Sequence, residues 1–248
     1  MNNEEKSFPK TSINWFPGHM AKTRKQIIED LKLVDVVIEI LDARIPISSQ
    51  NPEIQKIIQN KKKVIVLNKS DLSDENENRK WMEYFIKQGN RAVLVDSNTG
   101  KGINDVIKQI QLTMSDEMKK LSEKGRIGRK IRVMIVGLPN VGKSSFINRI
   151  TKKNSAEVGN KPGVTKQKQW IRIGKNQELM DTPGVLWPKF ESNEVALNLS
   201  FTGTIKDEIL DKVDVAYELL KVLLKDYREN IKLRYKIDDL ELEEIYKK

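Results

Sequence analysis

Gly137-Leu138-Pro139-Asn140-Val141-Gly142-Lys143-Ser144 matches the spacing G-x-x-x-x-G-K-[ST]. Glycines in such a loop let backbone N–H groups turn inward around phosphate oxygens, and the helix that follows adds the partial positive charge of its N-terminus. Lys143 is then placed for the β- and γ-phosphates and the Ser144 hydroxyl for Mg²⁺. A chance match in 248 residues has a probability of about 1% at average composition, so the octapeptide reads as a nucleotide phosphate loop. Asn68-Lys69-Ser70-Asp71 fits N-K-x-D. A carboxylate at Asp71 accepts from the N1–H and exocyclic NH₂ of guanine, a donor pair that adenine lacks. Asp96-Ser97-Asn98 suits a supporting loop that meets the guanine carbonyl through backbone N–H groups. With Asn140, Val141, Gly142 and Ser145, these are the candidate nucleotide-binding residues.

Asp181-Thr182-Pro183-Gly184 fits D-x-x-G, a pattern common enough by chance that its position must carry the argument. There Asp181 holds Mg²⁺ through water and the Gly184 N–H touches the γ-phosphate. Thr165, in Pro162-Gly163-Val164-Thr165, lies between the phosphate loop and that pattern, where a switch threonine closes the metal shell. Ser144, Thr165 and Asp181 are thus the candidate Mg²⁺ residues, and Lys143 and Thr165 two candidate catalytic ones.

These residues need strands that end where they begin. Val34–Leu41, Val64–Leu67, Ala92–Val95 and Ile131–Val136 read as buried strands, with helices predicted over Ala21–Leu33, Pro52–Asn60, Leu72–Gln88, Ile103–Ser122 and Lys143–Ile150. Trp170–Ile173 and Glu178–Met180 read as a hairpin around Gly174-Lys175-Asn176. Beyond Pro188 only helical patterns such as Val213–Asp226 remain. The expectation is an α/β domain, doubly wound on a mostly parallel sheet, followed by a small all-helical C-terminal domain. Its divisions are an N-terminal arm over 1–20, the nucleotide domain over 21–187 and the helical domain over 188–248. Helical spacing of Trp81, Tyr84 and Phe85 predicts core packing.

The motif order is unusual. In Ras-type GTPases the guanine-reading motifs follow the phosphate loop, whereas here Asn68–Asp71 and Asp96–Asn98 precede it. The order implies a circularly permuted P-loop GTPase domain, a rearrangement that folds tolerate when their termini lie close together at the surface. The second switch at Asp181 then runs directly into the C-terminal helices, a route for nucleotide-dependent rearrangement. With Trp15-Phe16-Pro17-Gly18-His19-Met20, Asp42-Ala43-Arg44-Ile45-Pro46 and Leu186-Trp187-Pro188-Lys189-Phe190, this order resembles the bacterial ribosome biogenesis GTPase A family over essentially the whole chain. Members usually run some tens of residues past Ile245-Tyr246-Lys247-Lys248. The resemblance implies a cytoplasmic GTPase that binds a precursor of the large (50S) ribosomal subunit, through rRNA and ribosomal proteins, and promotes a late maturation step. The protein is expected to be a monomer off the ribosome.

Val185 stands where Ras-type enzymes carry a water-orienting Gln, so hydrolysis by the chain alone is expected to be slow and stimulated by the particle. The resemblance points to His19 as the catalytic group. An imidazole orients or partly deprotonates water, and Pro17-Gly18 offers a bend to swing it. An arm that packs or stacks on RNA is the other reading of that stretch. Asn140 resembles the asparagine of potassium-activated GTPases, where K⁺ supplies charge beside the phosphates, and a loop-shaping role is the alternative.

Composition narrows the class. No cysteine and one histidine remove disulfides, thiol catalysis and most zinc sites. No apolar run approaches the ~20 residues of a membrane span, and the first ten residues lack a signal-peptide core. A net charge of +10 favours a polyanionic partner. Lys119 to Arg132 holds seven basic residues and one acidic, as either a solvated connector or an RNA-backbone contact. A nucleotide-sensing rRNA scaffold with negligible hydrolysis is the rival reading. A permuted GTPase of the small subunit fits less well, because its oligonucleotide-binding barrel and zinc site have no counterpart here.

Overall fold

In the computed structural model, residues 17–126, 128–155, 170–180, 192–204 and 212–237 are described, with side chains from 24 onward except 153–155. The buried apolar runs become β1 (Val36–Asp42), β2 (Lys62–Asn68), β3 (Arg91–Val95) and β4 (Ile131–Val136). β5 (Trp170–Gly174) and β6 (Gln177–Met180) form the hairpin. Together they make one six-stranded sheet in the order β3-β2-β1-β4-β6-β5, parallel except for the β5–β6 pair. Parallel strands buried on both faces need no polar–apolar alternation, which is why β1 is buried at all seven positions.

The crossovers are helical: α1 (Pro17–Leu31), α2 (Pro52–Ile58), α3 (Glu75–Lys87), α4 (Ile103–Glu123) and α5 (Lys143–Ser155). Local chemistry starts them. Pro52 opens α2 while Asn51 Oδ1 accepts the Ile54 N–H at 3.0 Å, and Asp74 caps α3 by accepting from the N–H groups of Asn76 and Glu77. The sequence reading merges the latter helix with a preceding 3₁₀ turn, Ser70–Leu72, because the cap at Asp74 splits one continuous pattern. α1 opens at Pro17, across the predicted arm boundary, so Gly18 and His19 lie in its first turn and not in a bend.

On one face of the sheet, Ile27 and Leu31 of α1 and Ile54 and Ile58 of α2 pack with Val37, Met134 and Val136. Phe85 of α3 is fully buried beside Leu41, Ile65 and Leu67, with Trp81 against the same cluster, whereas Tyr84 lies edge-on to its neighbours and is half exposed. Chain contacts define two compact units, Met1–Glu191 and Ser192–Lys248. The second contains α6 (Asn193–Phe201), α7 (Lys212–Asp226) and α8 (Arg228–Tyr235) among its described residues, with Leu199 and Ile231 buried. No described helix is long and apolar enough to cross a membrane.

Glu39, midway along β1, is a carboxylate in this apolar setting. Gln55 donates to its Oε1 and Lys63 Nζ donates to Gln55 Oε1 at 2.8 Å, but Oε2 meets no hydrogen-bond partner. Desolvation pushes its carboxyl above the usual carboxylate range, against the opposing pull of Gln55 and Lys63. The folded protein therefore holds a proton that the unfolded chain releases near 4.5, and the stability due to this group is lost as pH rises through the folded value. Glu39→Gln is expected to gain on the wild type by about 1–2 kcal/mol at pH 8 and little at pH 4. Urea titrations at the two pH values check this, and equal differences at both would refute it.

Candidate functional site

Four loops at the C-terminal ends of parallel strands meet at one end of the sheet: those following β1, β2, β3 and β4. β4 runs into the phosphate loop, whose backbone requires its glycines. At Gly142, φ is +94° and an added Cβ would lie 2.2 Å from Asn68 Nδ2; at Gly137, φ is +155° and a Cβ would lie 2.5 Å from the Ile40 carbonyl oxygen. Asn140 also takes a left-handed conformation at φ 58°, which asparagine tolerates better than most residues. Ser144 and Ser145 are exposed in the first turn of α5. Lys143 points back into the loop, its Nζ donating to the Leu138 carbonyl. Burial lowers its ammonium pKa to about 8, the result expected for a cation held in a cradle with no counter-charge among the described residues.

Asn68 joins three of the loops. Its Nδ2 donates to the Val141 carbonyl at 2.8 Å and its Oδ1 accepts from Ser97 Oγ at 2.7 Å. Lys69, at φ 60°, donates from Nζ to the Asn140 carbonyl at 2.7 Å and to Asp42 Oδ2 at 2.9 Å. Asp71 is exposed within the 3₁₀ turn, open to an incoming base. Asn78 secures that turn, donating to the Ser70 carbonyl at 3.1 Å and accepting from Ser73 Oγ at 2.8 Å.

Asp96 serves its own loop. Its Oδ1 accepts from the Asn98 N–H at 2.8 Å and the Thr99 N–H at 3.3 Å, while Thr99 Oγ1 donates to Oδ2. These bonds, the Thr99 hydroxyl foremost, hold its carboxyl below the usual range. The Ser97 carbonyl accepts from Arg149 Nε at 3.2 Å, which ties this loop to α5.

Two residues beyond the nucleotide motifs complete the frame. Asp42 is fully buried at the end of β1 and takes a bidentate pair from Arg44, Nε–Oδ1 2.9 Å and NH2–Oδ2 2.7 Å, besides Lys69. Burial pushes its carboxyl up, but the bonds from Arg44 and Lys69 outweigh that and hold it below the usual range. Asp42-Ala43-Arg44 is visible in the sequence only as a family-like motif, and a carboxylate at the end of a buried strand is the available signal. Nothing local marks Asn78. Thr165, Asp181, Gly184 and Val185 lie outside the described residues, as does the Trp187 region, and of His19 only the backbone is described.

The basic connector divides. Arg129 pairs with Asp35 at 2.6 Å, and Lys130 and Arg132 pair with Glu178 at 3.0 and 3.2 Å, so these three pin the connector to the starts of β1 and β6. Arg132 also stacks 4.7 Å over Trp170.

A phosphate loop leaving a central parallel strand, with the base-reading loops earlier in the chain, defines a circularly permuted P-loop GTPase domain. A family described as 50S ribosome-binding GTPase matches residues 132–247. Ribosome biogenesis GTPase A of Bacillus pumilus is 47% identical over 92% of this chain and 81% of its own. The protein of that name from Thermotoga maritima is 35% identical over 80% of this chain and 69% of its own. The crystal structure of GNP-bound YlqF from T. maritima is similar, with a TM-score of 0.61 at 28% identity over 82% of this chain and 75% of that one. The chain belongs to the ribosome biogenesis GTPase A family, and it is a GTPase.

Proposed function

We propose that this GTPase binds the maturing large ribosomal subunit, promotes a late assembly step and leaves when GTP is hydrolysed. The observation that carries this reading is the bonding of three nucleotide loops through Asn68 into one cradle, under a chain order and sequence shared with ribosome biogenesis GTPases. The matched description, 50S ribosome-binding GTPase, supports the large particle as partner. Lys143 neutralises the β- and γ-phosphates, the loop N–H groups at Gly142–Ser145 hold their oxygens, and Asp71 selects guanine. Loop glycines without room for a Cβ, and an ammonium with no counter-charge among the described residues, fit a triphosphate. The Ser144 hydroxyl, exposed at the start of α5, suits Mg²⁺, with Thr165 directly and Asp181 through water. The metal supplies charge neutralisation of the transferring phosphoryl group. Asn140 is the residue we assign to K⁺, with loop shaping as its other role.

With Val185 unable to orient water, His19 is the group we assign to that task, brought into place on the particle. Hydrolysis by purified protein, alone and with 50S subunits, in KCl and in NaCl, tests the scheme. Stimulation by the particle is expected, with faster turnover in KCl. His19→Ala should keep GTP affinity while losing about 10²–10⁴-fold of the stimulated rate. Full stimulation of that variant would remove His19 from the mechanism. Tight GTP binding without turnover under any condition would leave the scaffold reading.

A further inference from the structure

The end of the sheet opposite the nucleotide loops carries a feature that hydrolysis does not use. Between α1 and α2 lies a groove of about 440 Å³. Arg24, Lys32, Lys56 and Lys61 line it over an apolar floor that includes Ile28 and Ile57, and no acidic residue lines it. Glu53 stands beside the groove and is shared by two of these cations, Arg24 at 3.9 Å and Lys56 at 3.4 Å. The Lys32 ammonium has no partner among the described residues, and Lys61 Nζ rests on the Val34 carbonyl at 2.8 Å. Past that point the charge is balanced, because Asp35, next in sequence, is paired with Arg129.

We infer that this groove forms a docking surface for an RNA sugar–phosphate backbone, a surface that rests on the ribosomal reading above. Charge complementarity carries the assignment. Four cations against one shared carboxylate leave an excess that only a polyanion neutralises along its whole length. An amphipathic acidic helix would need a row of apolar sockets, and the floor offers little beyond Ile28 and Ile57, since Leu31 is 6% exposed. The long cationic stems cover that floor while their heads face phosphate. The printed partners of Arg24, Lys56 and Lys61 are Glu53 and the Val34 carbonyl, none of them in the phosphate loop or the base-reading loops. Docking and nucleotide binding are therefore separable by mutation.

The variant Arg24→Gln/Lys32→Gln/Lys56→Gln tests this, since none of the three touches the nucleotide loops. Its GTP affinity and unstimulated hydrolysis should equal wild type, which also verifies folding. Its affinity for 50S precursor particles should fall at least tenfold at 150 mM salt. The slope of log affinity against log salt should become shallower by about 2–3, one increment per lost phosphate contact. A photo-crosslinker at position 32 should attach to rRNA. Unchanged affinity and slope in the variant, or crosslinks to ribosomal protein alone, would overturn the RNA surface. Failure of the wild type itself to bind the particle would instead remove the ribosomal reading, and this surface with it.

Discussion

Lys143→Met is expected to weaken GTP and GDP binding by about 10²–10³-fold while making the nucleotide-free fold more stable at pH 7. The two effects share one cause. Lys143 is packed into a cradle of backbone groups with the Leu138 carbonyl as its hydrogen-bond acceptor, and burial brings its pKa to about 8 from 10.5 in the unfolded chain. Keeping the ammonium there costs folding energy below pH 8, and the cost disappears as pH rises through the unfolded value, where neither state is charged. A phosphate group reverses the balance by supplying the missing charge. Nucleotide binding must then take up a proton above pH 8, and affinity should fall by up to tenfold per pH unit there. Calorimetry at pH 7 and pH 8.5 in buffers of different ionisation enthalpy measures that uptake directly. Zero uptake at pH 8.5, or a Lys143→Met protein that melts well below wild type, would show that Lys143 has a structural role only.

Asp71→Asn should exchange guanine for xanthine preference. GTP affinity is expected to fall by about a hundredfold, because the amide cannot accept both guanine donors, while its NH₂ finds the extra carbonyl of xanthine. The substitution should leave folding intact, since Asp71 is exposed and its turn is held by Asn78, Ser70 and Ser73. Asp71 also helps to raise the pKa of Arg44. Competition of XTP and GTP against a fluorescent nucleotide reads the outcome, and an unchanged ranking would displace Asp71 from base recognition. Taken with the Lys143 result, the pair separates the two halves of the ligand, since each variant should spare the contacts made by the other.

Much of this protein was legible in its residues because the relevant constraints are local. Continuous apolar runs at β1, β2 and β4 could only be strands covered on both faces, and the Gly-rich octapeptide between a strand and a helix follows from what backbone N–H groups need in order to face phosphate. Helix starts at Pro52 and the turn chemistry of Gly174-Lys175-Asn176 are equally local. Even the permuted order needed only the linear arrangement of motifs.

What only the tertiary structure decided are the pairings between residues far apart in the chain. Asn68 finds Val141 across 73 positions, Lys69 finds Asn140 across 71, and Arg129 finds Asp35 across 94. No periodicity encodes such partners, because a parallel sheet brings strand ends together through crossovers that leave no record of which side chains will meet. The same holds for charge. Residues 119–132 form one basic run in sequence, yet folding pairs Arg129, Lys130 and Arg132 with Asp35 and Glu178, cancelling two of their three charges. It gathers Arg24, Lys32, Lys56 and Lys61, which are scattered in sequence, along one groove. Charge acts through distance in space, and at this end of the sheet that distance is set by packing.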